Sequence, residues 1–225
     1  MADVVNVSDL IVSARRRANM ENTQFVTDAE AISYLDAAYR KFYNLVVTEF
    51  ENWFVSDTTF PTVDGQKEYD LPSDFYKLLG VDLEDAGGRS FTLRPFELNE
   101  RNRIVHTWIG KPVRYILKGN KIVLVPTPVG AAQTIRLLYV PSPVSITSSA
   151  QTIEVYNGFD EYIVLDAAIR MLMKEESDTA LLERERAYME QQIIDLMRGR
   201  DAGFPKRVTD LATLNDRAFF RWWGI

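Results

Sequence analysis

His106 is the single histidine of a 225-residue chain that has no cysteine. Those two facts remove most catalytic sets. Disulfides, thiolate metal sites and a cysteine nucleophile are excluded, and so is a zinc site of the common type. A serine–histidine–aspartate set would have to use His106, and no G-x-S-x-G turn offers the nucleophile. His106 reads as a surface or hinge residue. Carboxylates remain, clustered at Asp82, Glu84 and Asp85, at Asp160 and Glu161, and at Glu175, Glu176 and Asp178. Such oxygens could hold a hard cation or do acid–base work. None has the EF-hand spacing, so solvated faces or ion pairs between subunits are expected instead. Gly87–Gly88 reads as a turn, because neither a P-loop nor a G-x-G-x-x-G run is present. The expectation is a non-enzyme with no cofactor and no metal.

The composition is that of an ordinary globular protein, 46% hydrophobic and 26% charged. A net charge of −6 argues against gripping nucleic acid, which calls for a basic face. No charged leader followed by a long apolar run opens the chain, and no stretch approaches the ~20 apolar residues of a membrane span. A soluble protein made in the cytoplasm, with no membrane partner, is expected.

Helical signals flank a β-like middle. Ser8 or Asp9 can cap a helix over Leu10–Met20, with Arg15, Arg16 and Arg17 on a face that is either solvated or turned to an acidic partner. Thr27 and Glu30 form a capping box. Ile32, Leu35, Tyr39, Phe42, Val46, Phe50 and Trp53 then recur at steps of three and four, the mark of a long helix. From Phe54 the pattern becomes short strands divided by Gly, Pro and Asp. Trp53–Phe60 and Lys67–Leu71 read as a strand pair around Gly65. Pro72–Phe75 reads as a helical turn. Leu78–Leu83 and Phe91–Arg94 read as strands around Gly87–Gly88. Phe96–His106 reads as a short helix. Lys111–Lys118 and Lys121–Pro126 flank Gly119–Asn120, a hairpin signal. Gln133–Pro141 and Thr152–Val155 are further strands, and Pro141–Ala150 an exposed loop. A helical pair follows over Asn157–Arg200, capped by Asn157 or Gly158 and broken at Glu176–Ser177–Asp178.

The expected architecture is α+β: a helical bundle with an inserted small antiparallel β-sandwich or barrel. Residues 1–53 and 157–202 form the bundle, 54–156 the insert, and 203–225 an extended tail. The tail holds Phe204, Arg217, Phe219, Phe220, Arg221, Trp222, Trp223 and Ile225. So dense an aromatic and arginine set suits docking into a partner. The alternative is that it folds back on its own domain.

Several phrases together resemble a known family. They are Tyr69–Phe75 (YDLPSDF), Leu93–Phe96 (LRPF), Gly110–Tyr115 (GKPVRY) with Lys121–Pro128 (KIVLVPTP), and Asn157–Ala168 (NGFDEYIVLDAA) leading to Lys174–Asp178 (KEESD). The chain is similar to the head-to-tail adaptor, connector or head-completion proteins of tailed bacteriophages. The resemblance covers most of Gln66–Arg200. It implies a structural virion protein of the neck, in a closed ring of about twelve copies. The ring would dock under the portal protein and above a downstream tail or nozzle protein, and double-stranded DNA would pass without sequence-specific binding. Residues 206–225 match in position an extension that reaches the portal. FFRWWG itself matches no fixed motif of the family. At the ring's seam, Arg15, Arg16, Arg17, Glu183, Arg184, Glu185 and Arg186 are the expected inter-subunit charges, with a further set over Glu97–Arg103. Competing readings are a stopper or tail-tube adaptor, a carboxylate-dependent enzyme using Glu84 and Asp160, and a regulatory binding module.

Overall fold

The computed structural model describes residues 2–21, 25–85, 87–97, 109–130, 132–156 and 158–200. His106, most of the expected helix Phe96–His106, the Asn157 cap and the segment from Phe204 to Ile225 lie outside the described residues. The chain is α+β. Among the described residues there are four α-helices, α1 (Val7–Arg17), α2 (Asp28–Glu49), α3 (Asp160–Glu175) and α4 (Ala180–Gly199), and ten strands, of which the first precedes α1 and the other nine lie between α2 and α3.

α3 is the centre of the helical part. Every residue from Tyr162 to Ile169 is buried, as is Met171. A helix that is apolar all round must be covered on all sides, and α1, α2 and α4 each pack against it. α2 begins at the capping box: Glu30 N donates to Thr27 Oγ1 and Thr27 N donates to Glu30 Oε2. It ends at Glu49, short of Trp53, because Phe50 leaves helical geometry and a 3-10 turn, Glu51–Phe54, follows. α1 starts at Val7, ahead of both expected caps. Asn6 occupies the cap position without a side-chain bond to the helix backbone.

The reason is a strand ahead of it. β1 (Ala2–Asn6) pairs antiparallel with β10 (Thr152–Tyr156) over its whole length. Val5, Ile153 and Val155 turn to the helical core. The strand expected to close the β region therefore joins the helices instead.

The other strands make two four-stranded sheets. One has the order β2 (Ser56–Pro61), β9 (Thr134–Pro141), β4 (Phe75–Glu84), β5 (Ser90–Thr92). The other runs β3 (Glu68–Asp70), β8 (Lys121–Val125), β7 (Arg114–Lys118), β6 (Arg94–Pro95). All pairings are antiparallel except β6 with β7. Alternate residues of both sheets share one core: Val81, Leu83, Ile135, Leu137 and Tyr139 from the first, Tyr69, Ile122 and Leu124 from the second.

Two expectations are corrected here. The runs around Gly65 are not a hairpin, for β2 pairs with β9 and β3 with β8. Gly65 does take a positive φ of 73°. The turn is closed by Tyr69, whose hydroxyl accepts from Val63 N at 2.9 Å and donates to Gln66 O at 3.0 Å. The chain crosses between sheets there. It crosses again at Leu93, where the single expected strand Phe91–Arg94 splits into β5 and β6. Leu93 is buried and its amide bonds Val81 O at 2.8 Å. The β7–β8 hairpin forms as expected, with Gly119 at φ 57°.

A small third core of Tyr43, Val47 and Val140, with Phe54 and Leu79 beside it, fixes the first sheet to α2. Tyr43 Oη donates to Pro141 O, and Tyr76 Oη to Asn44 Oδ1 at 2.8 Å.

Candidate functional site

Within the apolar run of α3, Asp166 is the one charge, with a side chain 3% exposed. An isolated buried carboxylate is costly unless paired. Three cations meet it. Arg170 Nε lies 2.9 Å from Oδ2, one helical turn on. Lys41 Nζ comes from α2 at 3.3 Å and Arg186 Nη1 from α4 at 2.6 Å, both to Oδ1. Burial pulls the Asp166 carboxyl upward, but the hydrogen bonds from Arg170 and Arg186 and the charge of Lys41 outweigh it and hold it below the usual range. Tyr162 stands beside this group; burial pushes its phenol up, and its hydroxyl is 3.4 Å from Glu190 Oε2. The cluster consists of one carboxylate nearly out of water and three cations that each keep some exposure. Its chemistry is that of a clasp joining α2, α3 and α4.

The expected seam charges divide. Arg15 is buried and sits inside the subunit, bonding Val26 O at 3.0 Å and Asp28 Oδ1 at 2.7 Å. Arg17 pairs with Glu161 and lies 3.8 Å from Glu185. Arg186 is spent on Asp166. Arg16, Glu183 and Arg184 are exposed; Arg16 reaches only Glu21, at 4.0 Å, and Glu183 bonds Thr179 in its own first turn. α4 buries only Ile193 and Met197 of its twenty residues. Its outer face carries Leu181, Tyr188 and Leu196 in the open.

Members of each acidic cluster are held by bonds within the described residues, Glu161 to Arg17 and Glu175 to Ser177 among them. Asp85 Oδ1 accepts from Gly87 N and Arg89 N and shapes the turn between β4 and β5, and those bonds, with Lys111 nearby, lower its pKa. Asp82 accepts from Thr92 Oγ1. Asp178 Oδ1 takes the Ala180 amide at the start of α4. The described residues contain no group of three or more metal-ligating side chains.

Arg200, just past α4, lies over three rings, with its guanidinium 3.8 Å from the centroid of Trp53, 5.0 Å from Phe50 and 5.6 Å from Tyr156. The end of α4 is also tied to the end of α2, where Arg198 Nε meets Glu49 Oε2 at 2.7 Å. The last described turn is thus anchored to aromatic rings before residue 201.

A scan against protein-family profiles matches the SU10 adaptor protein over residues 5–209. The chain belongs to that family. This is a phage head–tail adaptor family of structural proteins, not a family of enzymes. A search of curated proteins finds no match. The SU10 adaptor match begins inside β1 and runs past the end of α4, so it includes the four helices and both four-stranded sheets. Membership implies a virion component that assembles with portal and tail parts. No helix among the described residues is long and apolar enough to cross a membrane.

For an SU10 adaptor the residue missed in the sequence was Asp166. Its signal was present: a lone acid inside eight buried positions, with Arg170 four residues on. What could not be read was that Lys41 and Arg186 would converge on it from two other helices.

Proposed function

We propose that the chain forms a closed ring between portal and tail and extends the channel through which DNA passes. The observation that carries this is the family match, which runs through almost all of the described chain. About twelve copies in cyclic symmetry need two different faces per subunit that meet around the ring. In this reading the four helices are a bundle that makes the ring body, and residues 54–156 are an inserted β-sandwich directed to the tail, with β10 lent to the body. The exposed side of α4 supplies one such face. A net charge of −6 suits a channel that does not hold DNA, because binding by counterion release needs cations. Residues 203–225 are the docking segment, with Phe204, Arg217, Phe219, Phe220, Arg221, Trp222, Trp223 and Ile225 as its anchors on the portal. Assembly takes place in the host cytoplasm, before or on the portal.

The test is removal of Arg217–Ile225. The truncated chain keeps its melting transition and fails to co-purify with the portal protein. Undiminished portal binding by the truncated chain refutes the docking role. Cross-linking in particles then decides whether its neighbours are portal and nozzle or lie one ring lower, as for a stopper or tail-tube adaptor.

A further inference from the structure

On the far side of α2 from α4 there is a groove of about 380 Å³. Its floor is Tyr39 and Tyr43 of α2 with Phe54. One wall is the outer face of the β1–β10 ribbon, with Val4 and Glu154. The other is the loop after β9, with Val144. Val4 and Val144 are each 65% exposed, too much apolar surface for a finished wall. Glu154 is exposed and makes no ion pair among the described residues. The groove therefore calls for an apolar insert that also brings one cation.

The outer face of α4 has that composition. Leu181, Arg184 and Tyr188 are three and four residues apart, so they stand in one row about 10 Å long. Leu181 is 74% exposed and Tyr188 67%. Arg184 is exposed and makes no ion pair among the described residues. Row and groove lie on opposite sides of the subunit. Lys41 points across to Asp166 on α3, which also holds Arg186 of α4. At 100° per residue, Lys41 is two positions from both Tyr39 and Tyr43 and so stands roughly 160° around α2 from each. Two unlike patches on opposite sides make a head-to-tail contact, the kind that closes a ring rather than a pair.

We infer that the groove floored by Tyr39 and Tyr43 receives the Leu181–Arg184–Tyr188 row of the neighbouring copy, with Arg184 meeting Glu154. This rests on the ring reading above and names the faces that meet.

The cysteine-free chain gives a clean test. The full-length Val144→Cys, Tyr188→Cys double variant is oxidised alone and in the presence of the portal protein, and native mass is recorded alongside. Disulfide-linked ladders of many subunits are expected, absent from either single variant. Separately, Glu154→Arg and Arg184→Glu should each weaken assembly about tenfold, and the two together should restore it to within about threefold. Rings that form with no ladder, and with indifference to both charge changes, overturn this pairing while leaving the ring intact. A chain that stays monomeric with and without portal protein overturns both. A thiol at position 144 that is protected in the monomer, and freed by truncation after residue 200, would put the chain's own C-terminal segment in the groove and overturn the pairing.

Discussion

Arg186 Nη1 of α4 lies 2.6 Å from Oδ1 of Asp166 on α3, and Lys41 of α2 shares the same oxygen. One carboxylate, nearly out of water, thus holds two helices to a third. Breaking a buried pair by removing one partner leaves uncompensated charge and typically costs 3–5 kcal/mol. Here the cations keep some contact with water, so the low end applies. Asp166→Asn is expected to lower stability by about 3 kcal/mol, read as a fall in the urea midpoint at neutral pH. Arg186→Met costs less, since Lys41 and Arg170 still serve the carboxylate. A midpoint unmoved by the Asn change would show that the clasp is idle.

Acid should act through Glu30 as well. This carboxylate takes Lys174 Nζ at 2.7 and 2.9 Å while completing the capping box. The Lys174 bond, then the Thr27 amide, lower its pKa from 4.5 to about 2. A lowered folded pKa means stability that is present above the unfolded value and is lost as pH falls through the folded one. The wild type therefore loses this contribution between pH 4.5 and about 2. Glu30→Gln has already lost it, so the gap between the two proteins should close across that window. A constant gap from neutral pH down to 2 would contradict the assignment.

Alkali should act through buried phenols. Burial, with the charge of Glu154 added, raises Tyr39 from 10 to about 12, and burial raises Tyr43 and Tyr162 as well. A raised folded pKa gives stability that is whole below pH 10 and lost as pH climbs through about 12. Tyr39→Phe removes one titrating proton from that limb. Its stability should fall less steeply with pH in denaturant titrations across that range. Parallel slopes for the two proteins would rule this out.

The joint between α3 and α4 is a Schellman turn built on a glutamate. Glu176 has φ +59°, Glu176 N bonds Met173 O at 3.3 Å and Ser177 N bonds Leu172 O at 3.1 Å. That conformation costs an L residue roughly 1–2 kcal/mol and glycine almost nothing. Glu176→Gly should raise stability by about 1 kcal/mol, less its added unfolded-chain entropy. Thermal or urea unfolding reports the sign, and a clear loss would mean the Glu176 side chain contributes more than its strain costs.

What could be read from the chain was local. The Thr27–Glu30 box, the β7–β8 hairpin and the break at Glu176–Asp178 each depend on residues a few positions apart, and all three stand where the pattern placed them. Pairing at a distance was not legible. Nothing in Ala2–Asn6 specifies Thr152–Tyr156, and the sequence pattern assigns those first residues no element ahead of the helix at Leu10–Met20. The run around Gly65 has the look of a hairpin, yet Tyr69 turns the chain toward the other sheet. Arg15, Arg16 and Arg17 are chemically alike, but only Arg15 faces the segment that carries Val26 and Asp28, so it alone is buried. The apolar row on α4 was visible as residues and invisible as a surface until α3 claimed the opposite side.

The β1–β10 ribbon also sets a timetable for synthesis. Asn6 pairs with Thr152, so at 5–20 residues per second the first strand waits on the order of 10–30 s for its partner to be translated. α1 must wait longer for α3. The strands from Ser56 to Pro141 find all their partners among themselves and can close while the ribosome is still making the rest. The helical half, by contrast, is assembled at the very end from the two extremities of the chain. A nascent chain halted before Thr152 carries a finished pair of sheets with α2 held to one of them, but neither β10 nor α3 for β1 and α1 to pack on, which is the species a chaperone would meet.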